Sequence, residues 1–259
     1  MLILRNRWIL NVMAVVGGVC IAGIAGAAEQ QPGSYFKIGI GLATDVVEYK
    51  KSASEDDDVV VLPYLEYEGE RLHFSGTSLS YDVIKTGLLQ VSLLAENNGS
   101  GFDAGDLEIF KGMADRDYSI DLGAQFAVST DFGDVAFSVT KDVNDAHDSE
   151  VMKLSYQYML HAGKWVFIPG IGLQHLTSDF VDYYYGVRAN EATRTRAAYK
   201  GRSTTQVSLN LLTAYQISPR FQVVNAISLE ALPDEIKNSP LVKDDSTVLR
   251  GFLGLSYQF

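Results

Sequence analysis

Much of the chain is written in period two. From Asp117 to Ser129, "DYSIDLGAQFAVS", residues Tyr118, Ile120, Leu122, Ala124, Phe126 and Val128 fall on one side, and Asp117, Ser119, Asp121, Gln125 and Ser129 fall on the other. Successive side chains of a strand point to opposite faces, so this alternation predicts a strand with one apolar face and excludes an amphipathic helix. The pattern returns at 150–161, where Met152, Leu154, Tyr156, Tyr158 and Leu160 oppose Lys153, Ser155, Gln157 and His161. It returns again at 203–217, where Val207, Leu209, Leu211 and Tyr215 oppose Gln206, Ser208 and Asn210. Weaker or more apolar versions occupy 35–46, 58–68, 88–96, 132–141, 164–176, 220–230 and 247–258. These runs of about ten residues exceed the five or six usual in soluble sheets.

A soluble sandwich or lipocalin-like barrel also alternates, but it turns its apolar face inward and fills it. Here the polar face carries Asp, Gln, Lys and Ser, while Tyr, Phe and Trp gather near the strand ends of the apolar face, as an interfacial girdle does. The fold class expected is therefore all-β: a transmembrane antiparallel β-barrel, in which closure satisfies every backbone group. Composition agrees, with 47% hydrophobic residues, fourteen tyrosines and twelve phenylalanines. No stretch after the N-terminal segment reaches the roughly eighteen apolar residues of a spanning helix. A formal net charge of −11 argues against nucleic acid as a partner.

The two ends fit export and membrane assembly. Residues 1–28 have the three parts of a cleaved signal peptide: Arg5 and Arg7, an apolar stretch from Trp8 to Ile24, and Ala25-Gly26-Ala27 as the cleavage site. The barrel domain is then 29–259. Cys20, the only cysteine, lies in the removed segment, so no disulfide, cysteine metal site or catalytic thiol is expected. At the other end, "LRGFLGLSYQF" places Leu253, Leu255, Tyr257 and Phe259 in one apolar row that runs to the last residue. That row is expected to close the barrel against the first strand and to serve as the signal read by the barrel assembly machinery.

Connections set the strand count. Gly69, Lys85-Thr86-Gly87, Thr130-Asp131, Ala162-Gly163 and Ser218-Pro219 mark tight turns, whereas 47–57, 97–116, 142–149, 177–202 and 231–246 are long and polar. Outer-membrane barrels keep short turns on the periplasmic side and long loops outside. Tight and long connections alternate along the chain if "SGTS" at 75–78 supplies an outer turn, which gives twelve strands; a kinked segment there gives ten.

No catalytic constellation stands out. His147 and Ser149 can share a face but lie in a polar loop, and His175 and Ser178 face opposite sides of a strand. The acidic run Glu55-Asp56-Asp57-Asp58 lacks the spacing of a calcium loop and reads as solvated charge, with a cation bridging lipopolysaccharide as its functional alternative. No metal or cofactor is expected. Asp117, Asp121, Gln125, Lys153 and Gln206 are the candidates for the lumen, with His73 and His161 in its polar networks.

The stretch Tyr184-Tyr185-Gly186-Val187, then Glu191-Ala192, Tyr199 and Gly201, the later Ser239-Pro240-Leu241-Val242, and the closing Tyr257-x-Phe259 together resemble the MipA/OmpV family of Gram-negative outer-membrane proteins. The resemblance runs over nearly the whole mature chain, with a more basic "TRTRA" between Ala192 and Tyr199. It implies an outer-membrane barrel in contact with lipid and lipopolysaccharide. It also implies either a scaffold that brings a lytic transglycosylase (MltA) and a peptidoglycan synthase together, or osmotic and adhesion roles. Two classes of function follow: a non-enzymatic scaffold, and a narrow pore.

Overall fold

The structure, a computed structural model, describes residues 34–45, 48–51, 58–98, 101–243, 245 and 247–259. The expected signal peptide and Glu55, Asp56 and Asp57 of the acidic run lie outside the described residues.

Thirteen antiparallel segments form one closed sheet: β1 (Tyr35–Asp45), β2 (Asp58–Glu68), β3 (Leu72–Ser75), β4 (Ser78–Lys85), β5 (Leu89–Glu96), β6 (Asp121–Thr130), β7 (Gly133–Asp142), β8 (Glu150–Gln157), β9 (Leu160–Ala162), β10 (Trp165–Leu176), β11 (Thr204–Gln216), β12 (Phe221–Ala231) and β13 (Thr247–Gln258). β8 and β9 both pair with β10 and are two parts of one stave, so the barrel has twelve. Closure is by β1 on β13, with Lys37 opposite Gln258 and Ala43 opposite Phe252.

The break between β8 and β9 has a simple cause. It lies opposite Pro169, whose carbonyl accepts from the Tyr158 N–H at 3.0 Å but which has no N–H to return. A proline inside a sheet removes one ladder bond, and the ladder lapses there.

The alternation read from the sequence becomes an inside and an outside. Ile38, Ile40, Leu122, Phe126, Leu154, Ile171, Leu209 and Leu253 are exposed on the outer face, while Gln125, Ser138, Thr140, Ser228 and Ser256 are buried within. At the end with tight turns the outer face carries an aromatic belt. Phe259 packs 6.0 Å from Phe36 and 4.9 Å from Tyr257, and Trp165 lies 4.7 Å from Tyr215, measured between ring centroids. The inner wall also carries two buried apolar clusters, one of Leu62, Tyr64, Ala226 and Phe252 at mid-height and one of Ile168, Leu212 and Val224 nearer the tight turns.

Two expectations need correction. The strand expected from Asp117 begins at Asp121; residues 117–120 belong to the preceding loop, so Asp117 is exposed there and does not face the lumen. Alternation in the sequence runs on past the point where the backbone enters the sheet, with Ile120 still exposed and Ser119 buried. His161 is exposed near the tight-turn end and joins no lumen network, since β9 is only three residues long.

Candidate functional site

The long connections fold together over one end of the barrel and make its largest apolar core. Tyr49, Phe102, Phe110, Phe180, Val181, Tyr184, Tyr185, Ile236, Leu241 and Val242 are all buried in this cap. Phe102 and Phe110 stack with centroids 3.9 Å apart, and Tyr49 packs edge-on to both. Burial of so much aromatic surface outside the barrel wall makes the cap a folded unit rather than a set of loose loops.

The sequence explains its parts. Helix α1 (Ser178–Tyr185) starts at Thr177, whose side chain accepts from the Phe180 N–H, and stops at Gly186. Its Phe180, Val181, Tyr184 and Tyr185 face the core. Gly201 crosses so close to the helix that a Cβ there would stand 2.2 Å from the Asp182 nitrogen, and the Gly201 N–H donates to Asp182 Oδ1 at 2.8 Å. A side chain of any size is excluded at that crossing. A second short helix, α2 (Asp234–Lys237), buries Ile236.

Polar residues tie the cap. Arg116, 1% exposed, donates to both carboxylate oxygens of Glu191 at 3.1 and 3.0 Å and to the Tyr183 carbonyl at 2.8 Å. Glu191 also accepts from the N–H groups of Ala114 and Arg188, at 3.0 Å each. Burial pushes its carboxyl upward, but those two N–H groups and the Arg116 guanidinium favour the ionised form and hold it below the ordinary glutamate range. Arg196 of the "TRTR" stretch donates to the carbonyls of Glu191, Ile109 and Lys111. Tyr199 donates to the Glu235 carbonyl, and its main chain pairs with Val187. Ser239 Oγ donates to the Tyr185 carbonyl at 2.6 Å, and Tyr185 donates to Glu48 at 2.9 Å. Burial beside Glu48 pushes the Tyr185 hydroxyl well above the usual phenol range, so it stays a donor.

The motif positions thus meet in space. Tyr184, Tyr185, Gly186, Val187, Glu191, Tyr199, Gly201, Ser239, Leu241 and Val242 all lie in the cap, and Ala192 and Pro240 flank them. Leu253, Leu255, Tyr257 and Phe259 lie on the outer face of the closing strand. Sequence reasoning missed Tyr49, Phe102, Phe110 and Arg116. Each comes from a loop without periodicity, and only the tertiary structure gives it neighbours.

Beneath the cap lies a polar chamber of about 200 Å³. Gln125, Lys153 and Gln206 line it, and Asp121 sits just beside it, fully buried. Its charges are paired within the wall. Lys153 meets Glu96 at 3.0 Å, and Arg250 bridges Glu48, at 2.9 Å, and Glu230. Asn98 joins Glu96, Asp121 and Thr140 through its amide nitrogen. His73, lower in the barrel, pairs with Asp82 and Glu68.

His147, Ser149 and Asp121 come together as well. Ser149 Oγ lies 2.8 Å from His147 Nδ1, and His147 Nε2 lies 3.6 Å from Asp121 Oδ1. All three are buried, none lines the chamber, and the His147 ring packs against Phe180 and Tyr184. The cluster anchors the β7–β8 loop under α1. His175 is exposed on the outer face of β10, hydrogen-bonded to Thr205 and apart from Ser178. Among the described residues, no group of three or more His, Cys, Asp or Glu stands where it could hold a metal ion.

Comparison with known proteins fits this architecture. A family model described as "MltA-interacting protein MipA" matches residues 38–259. The "MltA-interacting protein" of Escherichia coli strain K12 is 27% identical over 246 residues, spanning 93% of this chain and 96% of its own. Outer membrane protein Omp26La of Vibrio anguillarum is 27% identical over 199 residues, 76% of this chain and 77% of its own. Among solved structures, an outer-membrane channel of Pseudomonas putida F1 overlays with a TM-score of 0.44 at 11% identity, covering 92% of this chain and 98% of that one. The chain belongs to the MltA-interacting protein MipA family and is an outer-membrane β-barrel protein.

Proposed function

We propose that this barrel is a non-conducting, non-catalytic scaffold that offers its periplasmic turns to cell-wall enzymes, a lytic transglycosylase and a peptidoglycan synthase. The observation that supports the reading is how much of the interior is occupied: a packed cap over the long-loop end, two apolar clusters on the inner wall, and ion pairs among the charged groups of the chamber. A conduit needs a continuous wet path, and the buried cap and the inner-wall clusters weigh against one. The family relative from Escherichia coli, named for an interaction with MltA, supports a lytic transglycosylase as one partner.

The tight turns supply the docking surface. Phe132 at the β6–β7 turn is 83% exposed, and Leu88 on the neighbouring β4–β5 turn and Ile217 on the β11–β12 turn are also exposed, an arrangement suited to apolar anchors. Phe132→Ser combined with Leu88→Ser is expected to weaken capture of a purified MltA-type transglycosylase, while Arg194→Ala in the cap leaves it unchanged. In planar bilayers the intact barrel is expected to show little steady conductance. A large ion-selective conductance that shifts on neutralising Lys153, together with unchanged transglycosylase capture by the double turn variant, would replace the scaffold with a pore.

Assembly of the scaffold rests on its last strand. Phe259 sits in the aromatic belt, and its N–H donates to the Phe36 carbonyl at 3.0 Å. Its deletion is expected to lower the amount of folded, heat-modifiable barrel in the outer membrane, through loss of the terminal signal and of this seam contact. Equal amounts of folded protein would remove Phe259 from the assembly signal.

A further inference from the structure

The barrel wall has a step beside β2. β3 meets β2 only at Glu66, Tyr67 and Glu68, and the β3–β4 turn at Ser75–Ser78 ends that hairpin far below the top of β2. From Leu65 up to Asp58, β2 has β1 on one side and, among the described residues, no strand on the other. The last bond across is the Gly76 N–H to the Leu65 carbonyl, at 3.4 Å. Alternate residues of a strand turn both main-chain groups to the same neighbour, so Pro63, Val61 and Val59 present theirs to the step. The residue nearest the hairpin is the proline. With no N–H, it is tolerated at a free edge and costly in a central strand.

The chamber borders one side of this step. Thr77 and Ser78 of the β3–β4 turn line the chamber, and Gly76 beside them makes the last bond to β2. Phe180, Tyr184 and Tyr185 of the cap cover it on the side of the long loops. Chamber chemistry is also specific. Its carboxylates, Lys153 and Arg250 are paired with one another, whereas the side chains of Ser138, Ser155, Gln174 and Ser228 line it with no hydrogen-bond partner among the described residues. Neutral hydroxyl and amide groups with free valences favour a neutral, hydroxyl-rich guest over an ion. Around the step the outward side chains are apolar: Val59, Val61, Leu79 and Leu93.

We propose that the chamber opens sideways through the step between β2 and the Thr77–Ser78 turn, and holds the polyhydroxylated head of an amphiphile whose alkyl chain stays in the bilayer. The guest's hydroxyls meet the free side chains of the chamber and the unpaired carbonyls of β2. Its chain lies against Val59 and Val61. This goes beyond the scaffold reading and does not depend on it.

The test uses the mature barrel in phosphatidylcholine nanodiscs, with dodecyl maltoside, maltose and dodecyl sulfate as separate probes, read by native mass spectrometry. One dodecyl maltoside is expected to be retained per barrel, with neither maltose nor dodecyl sulfate retained at the same concentration. Gln174→Leu with Ser155→Val is expected to weaken retention about tenfold or more, as the loss of two hydrogen bonds in a closed site implies. In a second arm, bimane on Thr77→Cys is expected to be quenched by nitroxide-labelled lipid, and to block dodecyl maltoside. Thr77 is in a turn at the barrel surface, and heat-modifiable migration checks its folding. Three results would overturn the proposal: maltose retained as well as dodecyl maltoside, which means filling from water; quenching at Thr77 by aqueous iodide alone; or no retention of any probe by the unmodified barrel. High-yield crosslinking of Val61→Cys between two barrels would also overturn it, by assigning the free edge to a second copy.

Discussion

Glu191→Ala is expected to open the cap and lower the stability of the folded barrel by about 3–5 kcal/mol, the range for breaking a buried ion pair from one side. The substitution leaves the Arg116 guanidinium 1% exposed with carbonyl partners only, and it removes the acceptor of the Ala114 and Arg188 N–H groups. Urea titration in detergent micelles measures the loss, and protease cleavage within 101–118 and 186–203 locates it. Arg116→Met with Glu191→Leu is expected to recover most of the stability, because no charge is then left buried alone. If Glu191→Ala resists protease as the parent does, the pair does not hold the cap. Acid is expected to act on the same contact. A carboxyl held below its unfolded value contributes stability that is complete above that value and lost as pH falls through the lowered one. Cleavage of the cap is therefore expected to rise as pH falls below the ordinary glutamate range, and Glu191→Ala to weaken this dependence, with Glu235, also held low, keeping its share.

Leu209→Arg is expected to cost about 2–4 kcal/mol, while Gln206→Arg costs much less. Both lie on β11. Leu209 sits mid-strand, 54% exposed on the lipid side opposite Ile171, whereas Gln206 faces the chamber and donates to Glu230 at 3.4 Å. An arginine at 209 must carry its charge into hydrocarbon; one at 206 finds water and the Glu230 carboxylate. Folding titrations into lipid vesicles compare the two. A larger loss for Gln206→Arg would reverse the facing of β11, since a one-residue shift moves every side chain to the other face, and equal losses would remove the distinction between lipid and lumen there.

The barrel was legible because its solvent is uniform. Lipid outside and a polar lumen inside impose period two over long runs, and the segments at 58–68, 132–141 and 164–176 match the observed strands within a residue or two. The short hairpin at 72–85 was legible through its turn residues. Pro63 and Pro169 carried a further signal that alternation alone passes over, namely the places where the ladder stops. The cap was not legible from pattern. Tyr49, Phe110 and Tyr185 come from three separate loops, and the resemblance flagged only the positions from 184 onward. The chamber was legible in part: Gln125, Lys153 and Gln206 line it, but its paired charges needed Glu48 from a loop and Asp117 belongs elsewhere.

The cap also joins the two ends of the cylinder. Tyr49, just after β1, bridges Val242, just before β13; the Lys50 N–H donates to the Leu241 carbonyl at 2.7 Å, and the Lys243 N–H to the Glu48 carbonyl at 2.8 Å. Arg250 on β13 reaches Glu48 across the same junction. β1 and β13 are the first and last staves to be made, so their pairing is the final event of closure. The loops on which the cap depends must cross the membrane unfolded and pack only afterwards on the far side. Packing there clasps the junction from outside, and reopening it would require the aromatic core to come apart first. The cap thus works as a clasp on a zip, adding the cost of its own unfolding to any reopening of the barrel along the line by which it closed.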